Sequence, residues 1–159
     1  PHGFITVNPA YMGIAEGAVD FTIRYLRGEV EGMPPVRRRH YPTKRLAVAQ
    51  MQIMLEQTRA IYHRIISDAR PNPDKSDIIR MYAGHYTVME NSNEICQLAI
   101  RTCGGQAMLK SLPLERMYRD SRCGALMLPF TAEICMERIG YLSLYSMEEF
   151  DAMTPPKAD

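Results

Sequence analysis

The sequence predicts an all-α protein, an up-and-down four-helix bundle with an extra C-terminal helix. Two observations favour this fold. Apolar residues recur at helical spacing along most of the chain, with no sustained period-two alternation of the kind that strands show. Proline and glycine residues interrupt this pattern and separate long helical segments from two shorter ones. We expect the bundle to occupy residues 1–146 and residues 147–159 to form a flexible polar tail.

The first segment carries one apolar stripe at helical spacing and ends by Gly32. Its start has two interpretations. Asn8 can cap the helix with Pro9 at its first position, or Pro9 can lie inside a longer helix that begins near Phe4.

The second segment predicts a helix from about Thr43 to Asp68. The third is the most regular, because small and apolar residues alternate spacings of four and three from Ile78 to Cys103. This predicts a narrow seam on a helix packed lengthwise in the bundle. Asn72 is its expected N-cap, and Gly104 is expected to end it in a left-handed conformation.

Two shorter helices are predicted over Ser111–Gly124 and Pro129–Tyr145. The first holds the charged segment PLERMYRDSR, in which Glu115 and Arg119 lie one helical turn apart. A structural salt-bridge network is the favoured interpretation. The alternative is a face that orients a neighbouring helix or subunit against a cofactor.

Composition narrows the possible classes of protein. A chain of 159 residues, 46% hydrophobic, fits one globular domain. The net charge of +1 argues against a nucleic-acid binder, and no apolar run approaches the length of a membrane span. The first residues lack a signal-peptide pattern, so we expect a cytoplasmic protein. Cysteine and histidine spacings match no metal site, and we expect all four cysteines to be reduced and in the core.

The order of motifs in the second half resembles the C-terminal domain of acyl-CoA dehydrogenases. The glycine pair Gly104 and Gly105 is followed by PLERxxRD and then by a turn that contains Thr131. The resemblance, which runs from about residue 4 to residue 145, implies an FAD-dependent oxidoreductase that desaturates an acyl-CoA thioester. It also implies a homo-oligomer, a dimer or tetramer, together with an N-terminal helical domain and a middle β-domain. Since 159 residues leave no room for those domains, we expect an incomplete unit that is inactive and binds FAD weakly by itself.

The resemblance also implies FAD contacts. The glycine pair would approach the FAD of an adjacent subunit. The alternative interpretation of the pair is that it only ends the helix. The glutamine of the family motif is replaced by Arg101, whose guanidinium can meet a diphosphate. The family's RxxFG motif is missing after the first helix, and a basic run that includes Arg39 can replace its arginine. A solvated basic loop is the favoured interpretation of that run.

The expected catalytic carboxylate is missing. The family uses the glutamate of an EGT turn to remove the α-proton while the β-hydrogen leaves as hydride. Here Pro129 occupies the glutamate position, Phe130 the glycine position, and Thr131 matches the threonine. A second base position used in some branches falls near Gly3 and also lacks a carboxylate.

Glu133 stands where the family usually has a flavin-proximal glutamine. It is the remaining candidate base, although complementing a helix N-terminus is its favoured role. The catalytic residue therefore stays unassigned. Besides an acyl-CoA dehydrogenase, two functions stay open: a flavin-dependent monooxygenase on the same fold, which needs no α-proton base, and a non-catalytic partner subunit.

Overall fold

The computed structural model of the protein describes residues 2–149. No β-strand occurs in that range, which confirms the predicted all-α class. The helices are α1 (His2–Arg27), α2 (Pro42–Ser67), α3 (Lys75–Cys103), α4 (Pro113–Cys123) and α5 (Ala132–Leu144), with short 3-10 helices at Gly105–Met108 and Gly124–Leu126. None of the helices described is both long and apolar enough to cross a membrane.

The helix α3 is the centre of the bundle, because the other four α-helices all pack against it. α1 runs parallel to α3: Asn8 near the start of α1 lies beside His85, and Thr22 further along lies beside Cys103. α2 runs antiparallel to both helices and packs against both. Six residues of the predicted seam on α3 are buried, and a second buried row beside it makes the stripe wider than predicted: the seam residues are His85, Met89, Ser92, Cys96, Ala99 and Cys103, and the second row is Gly84, Val88, Ile95 and Thr102.

The fourth side of the bundle is built from α4 and α5 in series. Both run antiparallel to α3. The Asn93 amide donates to the Ser121 hydroxyl at 3.1 Å in the C-terminal half of α3, and the Lys75 ammonium at its N-terminus donates to the Tyr145 carbonyl at 2.8 Å. The extra helix therefore continues the line of the fourth helix along α3.

The start of α1 follows the longer of the two predicted helices, with Pro9 inside it. Asn8 does not cap, because its side chain is fully buried and bonded to His85. The predicted N-cap of α3 was also wrong. Asp74 caps it instead, through a capping box in which the Asp74 and Asp77 side chains each accept from the other's backbone N–H, at 2.9 and 3.1 Å.

The other helix ends fall near the predicted bounds. Gly104 ends α3 with φ of +88°, as expected for a glycine, although ψ of −173° is extended and not left-handed helical. Thr131 caps α5, so that helix starts at Ala132 and not at Pro129. Of the predicted tail, residues 150–159 lie outside the described range. Within it, Ser146 and Glu149 exchange backbone-to-side-chain hydrogen bonds, which begin a helical turn.

Charged side chains tie α2 to α3 where the two helices meet. Asp68 at the end of α2 accepts from Arg64 and from Arg80 of α3, and Asp77 lies between Arg70 and Arg80. Asp74 adds a further pair with Arg70 at 2.6 Å. We call this set the paired corner: Arg64, Asp68, Arg70, Asp74, Asp77 and Arg80.

The salt-bridge network predicted on α4 is confirmed. Arg119 and Glu115 are 2.9 Å apart and Arg116 and Asp120 3.3 Å. The cysteines are free thiols; burial raises the pKa of Cys96, Cys103 and Cys135 to about 11 each. The expectation that all four are core residues was wrong for Cys123, which is exposed and donates to the Arg119 carbonyl.

Candidate functional site

The predicted site residues lie in two separate regions. One is the end of the bundle where α2 begins and α3 finishes, which we call the basic end: Arg39, Lys44, Arg45 and Arg101. The other is the α4–α5 loop, residues 127–131. The loop meets α3 near Met89, which shares a core cluster with Ala132, and Arg101 lies twelve residues further along the helix. At 1.5 Å per residue the two regions are about 18 Å apart, so Arg101 and Thr131 of one chain do not converge.

At the basic end, Arg101 opens onto a groove of about 320 Å³ between the start of α2 and the end of α3. Its guanidinium forms no ion pair or hydrogen bond with any residue in the range 2–149. Lys44 lines the same groove and donates its ammonium to the Thr102 carbonyl. This bond satisfies one of the orphan carbonyls at the end of α3 and ties α2 to it.

Arg39 lies on the other side of the first turn of α2. There a second groove of about 220 Å³ has an apolar floor and a rim of cations; it is lined by Ile23, Leu26, Arg27, Arg39, Lys44, Arg45 and Val48. The backbone N–H groups of Arg38 and Arg39 both donate to the Leu26 carbonyl, at 2.8 and 3.1 Å. These bonds hold the loop against the end of α1. Arg39 and Arg101 thus flank the N-terminus of α2, whose dipole also favours an anion.

The charge at this end is strongly positive. Residues 24–45 hold seven basic and two acidic side chains, whereas the whole chain carries a net charge of only +1. Around the glycine pair there is open space, since a Cβ added at Gly104 or Gly105 would meet nothing within 4 Å. Unpaired guanidinium groups, a helix N-terminus and open backbone are a donor set that fits a diphosphate.

The α4–α5 loop lies beside the start of α1. A Cβ added at Gly3, near the start of α1, would lie 3.8 Å from the Phe130 ring. The start of α1 and the α4–α5 loop therefore meet at one point, and neither Gly3 nor Pro129 has a carboxylate. Pro129 is exposed, and Leu128 before it is 79% exposed, so this point is bordered by apolar surface.

Thr131 is held as the N-cap of α5, and its hydroxyl oxygen accepts from the Ile134 N–H at 3.3 Å. The hydroxyl proton remains available as a donor to a group outside the helix. Glu133 is exposed in the first turn of the same helix. It complements the helix dipole there, and its negative charge adds to the burial that raises the pKa of Cys135.

Behind the loop lies a buried polar pair that the sequence analysis missed. The Asn8 side chain is fully buried and His85 is 2% exposed, and Asn8 Oδ1 lies 2.7 Å from His85 Nδ1. The His85 ring meets the Phe130 ring edge to face at 6.0 Å. A histidine within an apolar seam and an asparagine within an apolar stripe were the available signals, but nothing local indicates that the two are partners.

Comparison with known proteins gives one family. The sequence model of the family described as acyl-CoA dehydrogenase, C-terminal domain, matches residues 2–140. The acryloyl-CoA reductase (NADH) of Anaerotignum propionicum is 29% identical over 121 residues, which cover 74% of this chain and 29% of that protein.

Two solved structures show the same fold. The acyl-CoA dehydrogenase from Geobacillus kaustophilus has a TM-score of 0.75 at 18% identity, covering 87% of this chain and 35% of that one. The Podospora anserina nitroalkane oxidase has a TM-score of 0.76 at 14% identity, covering 91% and 34%. The chain thus spans about a third of the length of the proteins it matches.

Proposed function

We infer that this chain, which belongs to the acyl-CoA dehydrogenase family, is the C-terminal domain of an FAD-dependent oxidoreductase. The reaction of that enzyme is the desaturation of an acyl-CoA thioester. The family match over residues 2–140 is the observation that carries this proposal. The remaining parts of the flavin and substrate site come from an N-terminal helical domain and a β-domain, or from a partner subunit.

The basic end is the proposed holder of the FAD diphosphate. Arg39 and Arg101 approach it from the two sides of the α2 N-terminus, and Gly104 and Gly105 leave room for it beside them. Thr131 and Glu133 lie at the second region and meet a flavin ring. When bound, FAD supplies the acceptor for the β-hydrogen, which leaves as hydride.

The separation of about 18 Å between the two regions supports a homo-oligomer. In this arrangement the basic end of one chain holds the diphosphate of a neighbour's FAD, while the α4–α5 loop of that neighbour borders its own flavin ring. A dimer or tetramer is therefore part of the proposal.

The α-proton base comes from outside this chain. Pro129 and the neighbourhood of Gly3, which correspond to the two positions of the family's base, hold no carboxylate. Glu133 lies on the exposed first turn of α5 and is better placed to complement the helix dipole.

A flavin-dependent monooxygenase is the second candidate, and the lack of a carboxylate at both base positions favours it. In that reaction reduced flavin reacts with oxygen, and no α-proton has to be removed.

A flavin experiment on the longer protein that contains this chain tests the proposal. We expect a bound FAD spectrum that bleaches when an acyl-CoA is added without oxygen. Bleaching only by an added reductant, followed by oxygen-dependent product formation, would favour the monooxygenase. A purified protein with no flavin would contradict both. The matched control is the 159-residue chain alone, which we expect to retain little FAD.

A further inference from the structure

We propose that Tyr25 is a positioning residue: it holds the Gln106 amide and the Arg38 guanidinium beside the glycine pair, where both donate to a bound diphosphate. The inference that Tyr25 fixes these two side chains stands on the contacts of this chain. Its extension to the diphosphate of FAD rests on the proposed function, to which it adds two donors besides Arg39 and Arg101.

Tyr25 is a rigid anchor at the end of α1. It lies in the core and is 3% exposed. The Phe21 ring, one helical turn earlier and itself buried, stacks against the Tyr25 ring with their centroids 6.2 Å apart. A ring packed in this way cannot turn without displacing its core neighbours. Tyr25 therefore fixes the groups that bind to it.

Gln106 is the first of these groups. The Tyr25 hydroxyl donates to Gln106 Oε1 at 3.0 Å, which ties the end of α1 to the residue that follows Gly105. This bond satisfies the buried phenol and directs Gln106 Nε2 away from it. Gln106 is exposed, and its Nε2 group donates to no residue in the range 2–149. Both of its N–H groups are therefore available to a ligand.

Arg38 is the second group. Its guanidinium carbon lies 4.8 Å from the centre of the Tyr25 ring, in a cation–π contact. The Arg38 backbone N–H donates to the Leu26 carbonyl at 2.8 Å, and its Nη1 donates to the Val36 carbonyl at 3.2 Å. No acid among residues 2–149 pairs with this guanidinium. Its charge is thus fixed in position and not neutralised.

These contacts distinguish Arg38 from its basic neighbours. Arg38 is half-buried, whereas Arg37 and Arg39 are exposed. A side chain that is already held in place loses less conformational entropy when it binds an anion than a free one does. Tyr25 therefore brings one charged and one neutral donor to the open backbone of the glycine pair, a combination that suits a diphosphate.

The first experiment uses inorganic pyrophosphate as the probe and needs no flavin. In the 159-residue chain, millimolar pyrophosphate should shift the amide signals of Gly104 and Gly105 and the side-chain amide signals of Gln106. We expect Arg38→Ala to weaken this binding about tenfold. The matched control Arg37→Ala removes the same charge and should weaken it about twofold at most. Equal effects of the two substitutions, or no shift of these signals in the parent chain, would overturn the proposal.

The second experiment asks whether the Tyr25 hydroxyl acts through Gln106. Tyr25→Phe keeps the ring and its contact with Arg38 but loses the hydrogen bond. We expect Tyr25→Phe to weaken pyrophosphate binding about threefold and Gln106→Ala about fivefold. The double variant should bind no more weakly than Gln106→Ala alone. Effects that multiply to about 15-fold would show that the two groups act independently, and the positioning role would be wrong.

Gln106→Glu separates contact with the anion from a purely structural role. Its carboxylate accepts from the Tyr25 hydroxyl as the amide does, but it has no N–H donor and repels an anion. We expect a melting temperature close to that of the parent and weaker pyrophosphate binding than in Gln106→Ala. Binding as tight as in the parent would mean that Gln106 does not contact the anion.

The longer flavin-bearing protein tests the extension to FAD. We expect Arg38→Ala to weaken FAD retention about tenfold, with Arg37→Ala again within about twofold. Unchanged retention in Arg38→Ala would contradict the contact with the FAD diphosphate. A longer protein that carries no flavin would instead contradict the proposed function, while the pyrophosphate measurements would still decide the role of Tyr25.

Discussion

At one end of the α2–α3 pair, acidic and basic side chains alternate and neutralise one another. At the other end, roughly 40 Å away along the helices, basic side chains outnumber acidic ones. In the paired corner each of three aspartates contacts at least one arginine. At the basic end, Arg39, Arg45 and Arg101 form no ion pair with any acid among residues 2–149. Arginines thus pair with aspartates at the paired corner, whereas those at the basic end remain available to bind an anion.

The largest expected effect separates binding from stability at the basic end. In the flavin-bearing protein, we expect Arg101→Ala to weaken FAD retention about tenfold and Arg39→Ala plus Arg101→Ala about 100-fold, since each charge-assisted contact contributes ~1.5–3 kcal/mol. Thermal stability without flavin should stay the same or rise slightly, because like charges are removed. Dissociation constants and melting curves measure the two effects.

The matched control is Arg116→Ala, which removes an arginine that is already paired with Asp120 on α4. It should leave FAD retention unchanged. If the basic-end variants melt earlier and keep their flavin, those arginines are structural and the comparison of the two ends fails.

The sequence predicted the helices well where proline and glycine punctuate the chain. The predicted α2, Thr43–Asp68, differs from the observed helix by one residue at each end. It left two alternatives open where a distant contact decides between them. Asn8 before Pro9 has the local pattern of an N-cap, and only a partner 77 residues away explains why the helix continues through it.

The same limit applies to the site. Residue types at Arg101 and Thr131 indicated anion and hydroxyl contacts, and the structure leaves both side chains able to make them. Their separation along α3 could not be predicted, because it depends on how α4 and α5 are laid in series against that helix. The pairing of His85 with Asn8 is likewise a product of tertiary packing.

A smaller effect is expected in the paired corner, where Asp77→Asn should lower the melting temperature at pH 7 by about 3–6 °C. Burial alone would raise the pKa of Asp77, but the Asp74 backbone N–H and the guanidinium groups of Arg70 and Arg80 outweigh it and lower the pKa. A lowered folded-state pKa means that the stabilisation is complete above the unfolded pKa of about 3.9. It is lost as pH falls through the folded value.

The difference between Asp77→Asn and the unchanged chain should therefore shrink below about pH 4. Asp20→Asn is the matched control, because Asp20 forms an exposed pair with Arg24 within α1, and its effect should be close to zero at every pH. FAD retention should be unaffected by either substitution. A melting temperature for Asp77→Asn that equals the parent at pH 7 would show that the corner contributes nothing to stability.

The smallest expected effect shows whether pairing alone explains the stability of the corner. Arg116 and Asp120 on α4 are 3.3 Å apart, and their side chains are 79% and 46% exposed. The Asp77 side chain, by contrast, is 9% exposed and contacts two arginines. Water screens the exposed pair, so a double-mutant cycle of Arg116→Ala and Asp120→Ala should give a coupling of ~0.3–0.5 kcal/mol. About 1 M salt should remove it, since the screening length then falls to about 3 Å. A coupling above ~1 kcal/mol in urea unfolding would mean that an exposed ion pair stabilises the fold as much as the buried, shared pairs of Asp77. The stability of the paired corner would then come from the number of its ion pairs and not from their burial.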